Sequence, residues 1–169
     1  FLSCNDASFP ALSAGTTIEG WFNYLFFASS NGLNNGPSLH PVCQQPETTL
    51  TILELATGSN PVIKLQLDTS GHLILVTFNG ATGTNHNIYT TSDLRSQGWF
   101  HVAIELTTTT WRVYVNGGAT ANVSGSGVTL TSAWTWLIVN GDLAANGGSS
   151  AGTGLVHGGN VSVSQLAVY

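Results

Sequence analysis

The sequence predicts an all-β domain built as a two-sheet antiparallel β-sandwich or jelly roll. Three observations carry that expectation. Apolar residues recur with a period of two over most of the chain, turn formers punctuate the apolar segments at short intervals, and no helical periodicity of convincing length appears. The 169 residues suit one domain with a sizeable core, and neither a boundary nor an internal repeat divides residues 1–169.

Each element has its own signature. TTIEGWFNYLFF (Thr16 to Phe27) places Ile18, Gly20 and Phe22 on one strand face and Glu19, Trp21 and Asn23 on the other. TLTILELA (Thr49 to Ala56), PVIKLQLD (Pro61 to Asp68) and HLILVTFN (His72 to Asn79) follow, joined by TGSN and DTSG. Short links of this composition predict a three-strand antiparallel meander. Gly98 to Gly117 reads as a hairpin, with strands Trp99 to Leu106 and Trp111 to Asn116 flanking four threonines. It is expected to be framework, anchored by Trp99 and Val113. WTWLIVNG (Trp134 to Gly141) and NVSVSQLAVY (Asn160 to Tyr169) complete the strands. Ala28 to Pro46, Asn79 to Asn87 and Asn140 to Asn160 are left as loops, and the first and last are long enough to suggest a functional rim.

Composition removes several function classes. Only 7% of residues are charged, against roughly 25% in a typical domain, so Thr, Ser, Asn and Gly must solvate the surface. The net charge of −5 rests on eight acids and three bases, Lys64, Arg95 and Arg112. Nucleic acid, which needs clustered cations, is not an expected partner. No apolar run approaches the roughly 20 residues of a membrane-spanning helix, and the longest, Trp21 to Ala28, fits a buried strand. The start at Phe1, without Met or a signal-peptide pattern, suggests a processed chain or a module of a larger protein. Cys4 and Cys43 would pair in an extracellular setting, a bond worth roughly 4 kcal/mol in the chain-entropy model. Two free buried thiols are the other reading.

In order, TIEGWF, ILELATG, IKLQLDTSGHLILV, GWFHVAIEL, WRVYVNG, WLIVNGD and VSVSQLAVY resemble the laminin G-like, concanavalin A-like jelly rolls. The match runs from Thr16 to Tyr169, and its most specific elements are Trp99-Phe100-His101-Val102-Ala103 and Val113-Tyr114-Val115-Asn116-Gly117. The resemblance implies two curved antiparallel sheets; members typically bind glycans or protein partners, and some hold calcium at loop ends. Phe100 stands where the family often has a second His, and Ser164 and Gln165 where it has an acid. Those departures weaken the transfer of a charged site, and fold alone does not transfer function.

Glycosidases flank the cleaved bond with two carboxylates about 5 to 10 Å apart, whereas the closest acids in this sequence, Glu47 and Glu54, straddle a loop-strand junction. There is no Gly-x-Ser-x-Gly elbow and no paired histidine spacing for a transition metal. Calcium takes oxygen ligands, which the turns around Asp68 and Asp142 could supply; a capping Asp in a solvated turn is the alternative at each. Sugars stack on aromatic faces beside polar partners, making Trp111, Trp134, Trp136 and Tyr114 candidates, with core packing as the competing account. Trp134 and Trp136 are placed on one strand face. Asn122 and Asn160 begin N-glycosylation sequons.

The expected function is a non-catalytic extracellular recognition or adhesion module, secreted or at the cell surface, binding glycans or proteins through rim loops. The alternative is a structural subunit of a matrix, surface layer or filament that self-assembles by lateral packing or against neighbouring domains. A glycoside hydrolase is the less favoured third reading.

Overall fold

The computed structural model describes residues 2–5, 9–24, 50–58, 60–68, 70–79, 82–88, 94, 97–126, 129–130, 133–139 and 161–169. They form a sandwich of two antiparallel sheets. One has six strands, ordered β1 (Leu2–Asn5), β10 (Trp136–Val139), β3 (Leu50–Thr57), β4 (Asn60–Leu67), β5 (Leu73–Asn79) and β6 (Thr82–Ile88). The other has five, ordered β11 (Val161–Val168), β2 (Thr16–Tyr24), β7 (Trp99–Leu106), β8 (Thr110–Val115) and β9 (Val123–Ser126). A single 3-10 turn, Leu12–Ala14, precedes β2 and ends at Gly15 with φ 83°.

The alternation read from the sequence decides which side chains enter the core. Ile18 and Phe22 of β2, Phe100, Val102 and Ile104 of β7, and Leu53, Leu55, Leu65 and Leu75 of the facing sheet are buried in one cluster. Phe22 and Phe100 are register partners with tilted rings 6.0 Å apart. Full burial of such a side chain contributes about 1.5–3 kcal/mol, so this interior dominates stability.

Four strands depart from the sequence expectation. β6 lies within the segment read as a loop. TGTNHNI has β-branched Thr82, Thr84 and Ile88 but no apolar residue before Ile88, so it shows no apolar alternation; pairing to β5 runs through backbone groups, from Leu73 opposite Ile88 to Asn79 opposite Thr82. β1 and β9 are four-residue strands at sheet edges, too short for periodicity to register. β10 begins at Trp136 rather than Trp134, so period two does not extend back to Trp134. Trp134 instead packs in the core between the sheets, its ring stacked on Phe9 at 4.2 Å and its Nε1 donating to the Pro10 carbonyl at 2.8 Å. Trp136 is half-buried in a separate cluster with Ala56 and Ile138.

The last strand closes on the first long one. β11 pairs with β2, and Tyr169 and Thr17 exchange backbone hydrogen bonds of 2.9 and 3.1 Å. Because Val161 opposes Tyr24, the segments 25–49 and 140–160 both attach at the same end of this strand pair.

Candidate functional site on the outer face of the five-stranded sheet

The alternation that buries Ile18 and Phe22 turns Glu19, Trp21 and Asn23 outward. The same rule turns out Trp99 and His101 of β7. Trp21 opposes His101, and Trp99 opposes Asn23, so the two tryptophans are diagonal neighbours on one face. Trp21 is 40% exposed and Trp99 47%. The expectation that Trp99 anchors the hairpin in the core is therefore corrected: Phe100, its neighbour in the chain, enters the core and Trp99 faces solvent.

β11 completes the site through an irregularity that period two cannot anticipate. Its register jumps from Ser164 opposite Trp21 to Ala167 opposite Glu19, so Gln165 and Leu166 together face Gly20. Such a bulge re-aims side chains. Gln165 takes a left-handed φ of 52° and is exposed, while Leu166 packs against the core. Gly20 makes the room: a Cβ there would meet Leu166 Cδ1 at 3.2 Å and the Phe22 ring at 3.3 Å. Ser164 and Gln165, although consecutive, consequently line the same open depression of about 340 Å³ with Trp21 and Trp99.

Ionic and hydrogen-bonded groups brace this face. The His101 ring lies 5.2 Å from that of Trp21, tilted by 55°, and His101 Nε2 stands 3.6 Å from Glu19 Oε2. The Tyr169 hydroxyl donates to Glu19 Oε1 at 3.0 Å; that hydrogen bond first, then the carboxylate's charge, raises the phenol's pKa above its usual value of 10.0. Farther along, Glu105 Oε2 accepts from Tyr114 at 3.2 Å and from Arg112 at 3.4 Å. Asn116, with φ 53°, accepts the His101 N–H on its Oδ1 at 2.9 Å and so fixes the end of β7.

The residues nominated from sequence scatter. Trp111 and Trp134 are each only 2% exposed, so they are corrected from ligand platforms to core side chains; Trp111 packs beside His86 with ring centroids 4.4 Å apart. Trp136 is half-buried on the six-stranded sheet. Tyr114 alone of the four shares the outer face with Trp21 and Trp99, half-buried. Asp68 caps the β4–β5 turn: its Oδ1 accepts from the N–H groups of Ser70 and His72 at 2.8 and 2.9 Å. Asp142, Cys43 and Asn160 lie outside the described residues, as do the expected rim loops at Ala28 to Pro46 and Asn140 to Asn160. Cys4 is an exposed free thiol on β1. Asn122 is exposed, but its Oδ1 accepts the Val115 N–H at 2.7 Å. Among the described residues no group of three or more His, Cys, Asp and Glu could hold a metal ion, and no helix is long and apolar enough to cross a membrane.

Comparison with known proteins agrees with this architecture. The family described as the concanavalin A-like lectin/glucanases superfamily matches residues 40–164. No curated protein sequence matches. Among solved structures, domains LG4-5 of the mouse laminin α1 chain are similar with a TM-score of 0.61 at 14% identity, over 99% of this chain and 38% of that one. The present chain thus spans well under half of that laminin fragment. Galectin LEC-6 of Caenorhabditis elegans gives a TM-score of 0.55 at 9% identity, over 99% of this chain and 89% of the galectin. Trypanosoma rangeli sialidase gives 0.53 at 14% identity, over 92% of this chain and 20% of the sialidase. At such identities the likeness is one of fold.

Proposed function

The chain belongs to the concanavalin A-like lectin/glucanases superfamily, and from that premise we propose that it is a non-catalytic extracellular recognition module whose ligand, a glycan or a protein, docks on the Trp21–Trp99 face. The observation that carries this reading is the placement of the exposed aromatics. The large hydrophobic side chains exposed among the described residues are Trp21, Trp99 and Tyr169; the first two lie on the adjacent strands β2 and β7, and Tyr169 directly follows β11, the other neighbour of β2. Clustered exposed apolar surface rimmed by polar groups marks an interaction site. The end at which segments 25–49 and 140–160 join the sheet is also the Trp99 end, which relates the face to the rim expected from the sequence. The known fold relatives named laminin and galectin support a binding role by analogy of architecture.

The reading is tested by screening the chain against immobilised glycans and extracellular-matrix proteins, then repeating with Trp21→Ala and Trp99→Ala. A bound ligand should lose about tenfold or more in affinity in each variant, the order expected when about 1.4 kcal/mol of aromatic contact disappears, with melting temperatures near wild type. A ligand that binds both variants as well as wild type would show that this face is not the site.

A further inference from the structure

We propose that the ligand of the Trp21–Trp99 face is an uncharged glycan of at least two sugar units, its rings stacked on the two indoles and its hydroxyls bonded by Gln165 and Ser164. This deepens the recognition reading above and rests on it. Charge argues first. An anionic glycan, sulfated or uronate-bearing, needs several cations facing it. The whole chain has three Lys and Arg. Lys64 is buried in the six-stranded sheet 3.5 Å from Glu54, and Arg112 is paired with Glu105. Even with Arg95, which lies outside the described residues, no cationic cluster can form. The face itself carries Glu19 and Glu105 against Arg112, a balance that repels anions.

The chemistry of the lining argues second. A pyranose has an apolar face of C–H groups and a rim of hydroxyls, and the depression offers both complements: two indoles and two neutral hydrogen-bonding side chains, Ser164 and Gln165. The depression is open, with a volume of about 340 Å³, within the range of small-ligand sites. Diagonal neighbours in a sheet stand roughly 7–8 Å apart, wider than one pyranose ring, so each indole serves a different sugar of one chain.

The bulge in β11 points the same way. A left-handed backbone at a residue other than glycine is costly and concentrates at functional sites. At Asn116 the side chain answers for it by capping His101. The Gln165 side chain has no such hydrogen bond among the described residues, and its left-handed turn sets the residue in the depression with the tryptophans. An amide both donates and accepts, matching hydroxyls of either role.

The test is calorimetric titration of the intact chain with laminarin, galactomannan and dextran, and separately with heparin, at about 20 mM and about 500 mM NaCl, across which screening changes several-fold. At least one neutral polysaccharide should bind, with affinity altered less than about twofold by salt, and heparin should not. Trp21→Ala and Trp99→Ala should each weaken that binding about tenfold or more, Trp99→Phe should restore part of it, and Gln165→Ala should weaken it several-fold. Disaccharides should bind better than their monosaccharides. Heparin binding that depends on the tryptophans and collapses with salt would overturn the uncharged assignment while leaving the recognition face standing. Neutral-glycan binding indifferent to both tryptophan variants would overturn the face as well. Failure of all three neutral polysaccharides, with a protein ligand still lost in the tryptophan variants, would overturn the glycan assignment alone.

Discussion

Gly125 of β9 leaves its side-chain space to Trp111 of β8: a Cβ on Gly125 would stand 2.4 Å from the indole. The two are register partners across the outer strand pair, and the indole lies in the core with no hydrogen-bond partner for its Nε1 among the described residues. Gly125→Ala should therefore force either the indole or the edge strand to move. Overpacking of this kind costs about 1–3 kcal/mol, readable as a lowered denaturant midpoint. An unchanged midpoint would mean that β9 shifts freely.

Glu54 and Lys64 are register partners on β3 and β4 and form an ion pair of 3.5 Å with side-chain exposures of 0% and 7%. Removing one partner strands the other charge in a buried setting, so Lys64→Met should cost about 3–5 kcal/mol. The double variant Glu54→Gln with Lys64→Met should recover most of that loss. A double-mutant cycle by urea unfolding measures the coupling, and additive losses would contradict it.

His86 packs against Trp111 and shares a 2.9 Å hydrogen bond with Thr77. Desolvation lowers its pKa below the ordinary 6.5, so the folded state prefers the neutral ring. The unfolded chain binds a proton there first as pH falls, and stability that is complete above pH 6.5 declines through the folded-state pKa. Melting temperatures measured from neutral pH downward should show a shallower decline in His86→Phe. Parallel curves for the two proteins would remove His86 from the explanation.

The Tyr169–Glu19 hydrogen bond ties the end of the chain to β2. Because the phenol's pKa is raised above 10.0, its contribution is complete below that pH and disappears as pH rises through the folded-state value. Tyr169 should titrate late in ultraviolet difference spectra, and Glu19→Gln should bring it back toward its ordinary range. The same late transition in Glu19→Gln would exclude the carboxylate as its cause.

Trp21 and Trp99 make a contrasting pair with Trp111 and Trp134. Replacement of either exposed tryptophan by Ala should leave stability within about 1 kcal/mol, whereas Trp111→Ala or Trp134→Ala should cost about 3–5 kcal/mol through a core cavity. Thermal unfolding of the four variants distinguishes a surface role from a core one.

Much of the architecture is legible in the side-chain alternation. Period two correctly separated Ile18 and Phe22 from Glu19 and Trp21, and Trp99 to Leu106 is a strand with the same bounds in sequence and structure. The identification of the four candidate aromatics was less successful. Trp and Tyr suit both a core and a binding surface, and composition does not rank those fates. The alternation was sufficient to place Trp21 outward, and extended to Trp99 beside buried Phe100 it would have found the pair.

The sequence by itself determined the all-β class, the paired layers and the scarcity of cations, because side-chain alternation and charge count are local properties. Only the tertiary structure decided which strands became neighbours, and with them the site. The approach of β2 to β7 and β11 is long-range pairing, and the bulge that sets Gln165 beside Trp21 appears only when one strand's register is counted against another's. Hydrogen bonds between backbones also made a strand of Thr82–Ile88, whose side chains alone gave little reason to expect one.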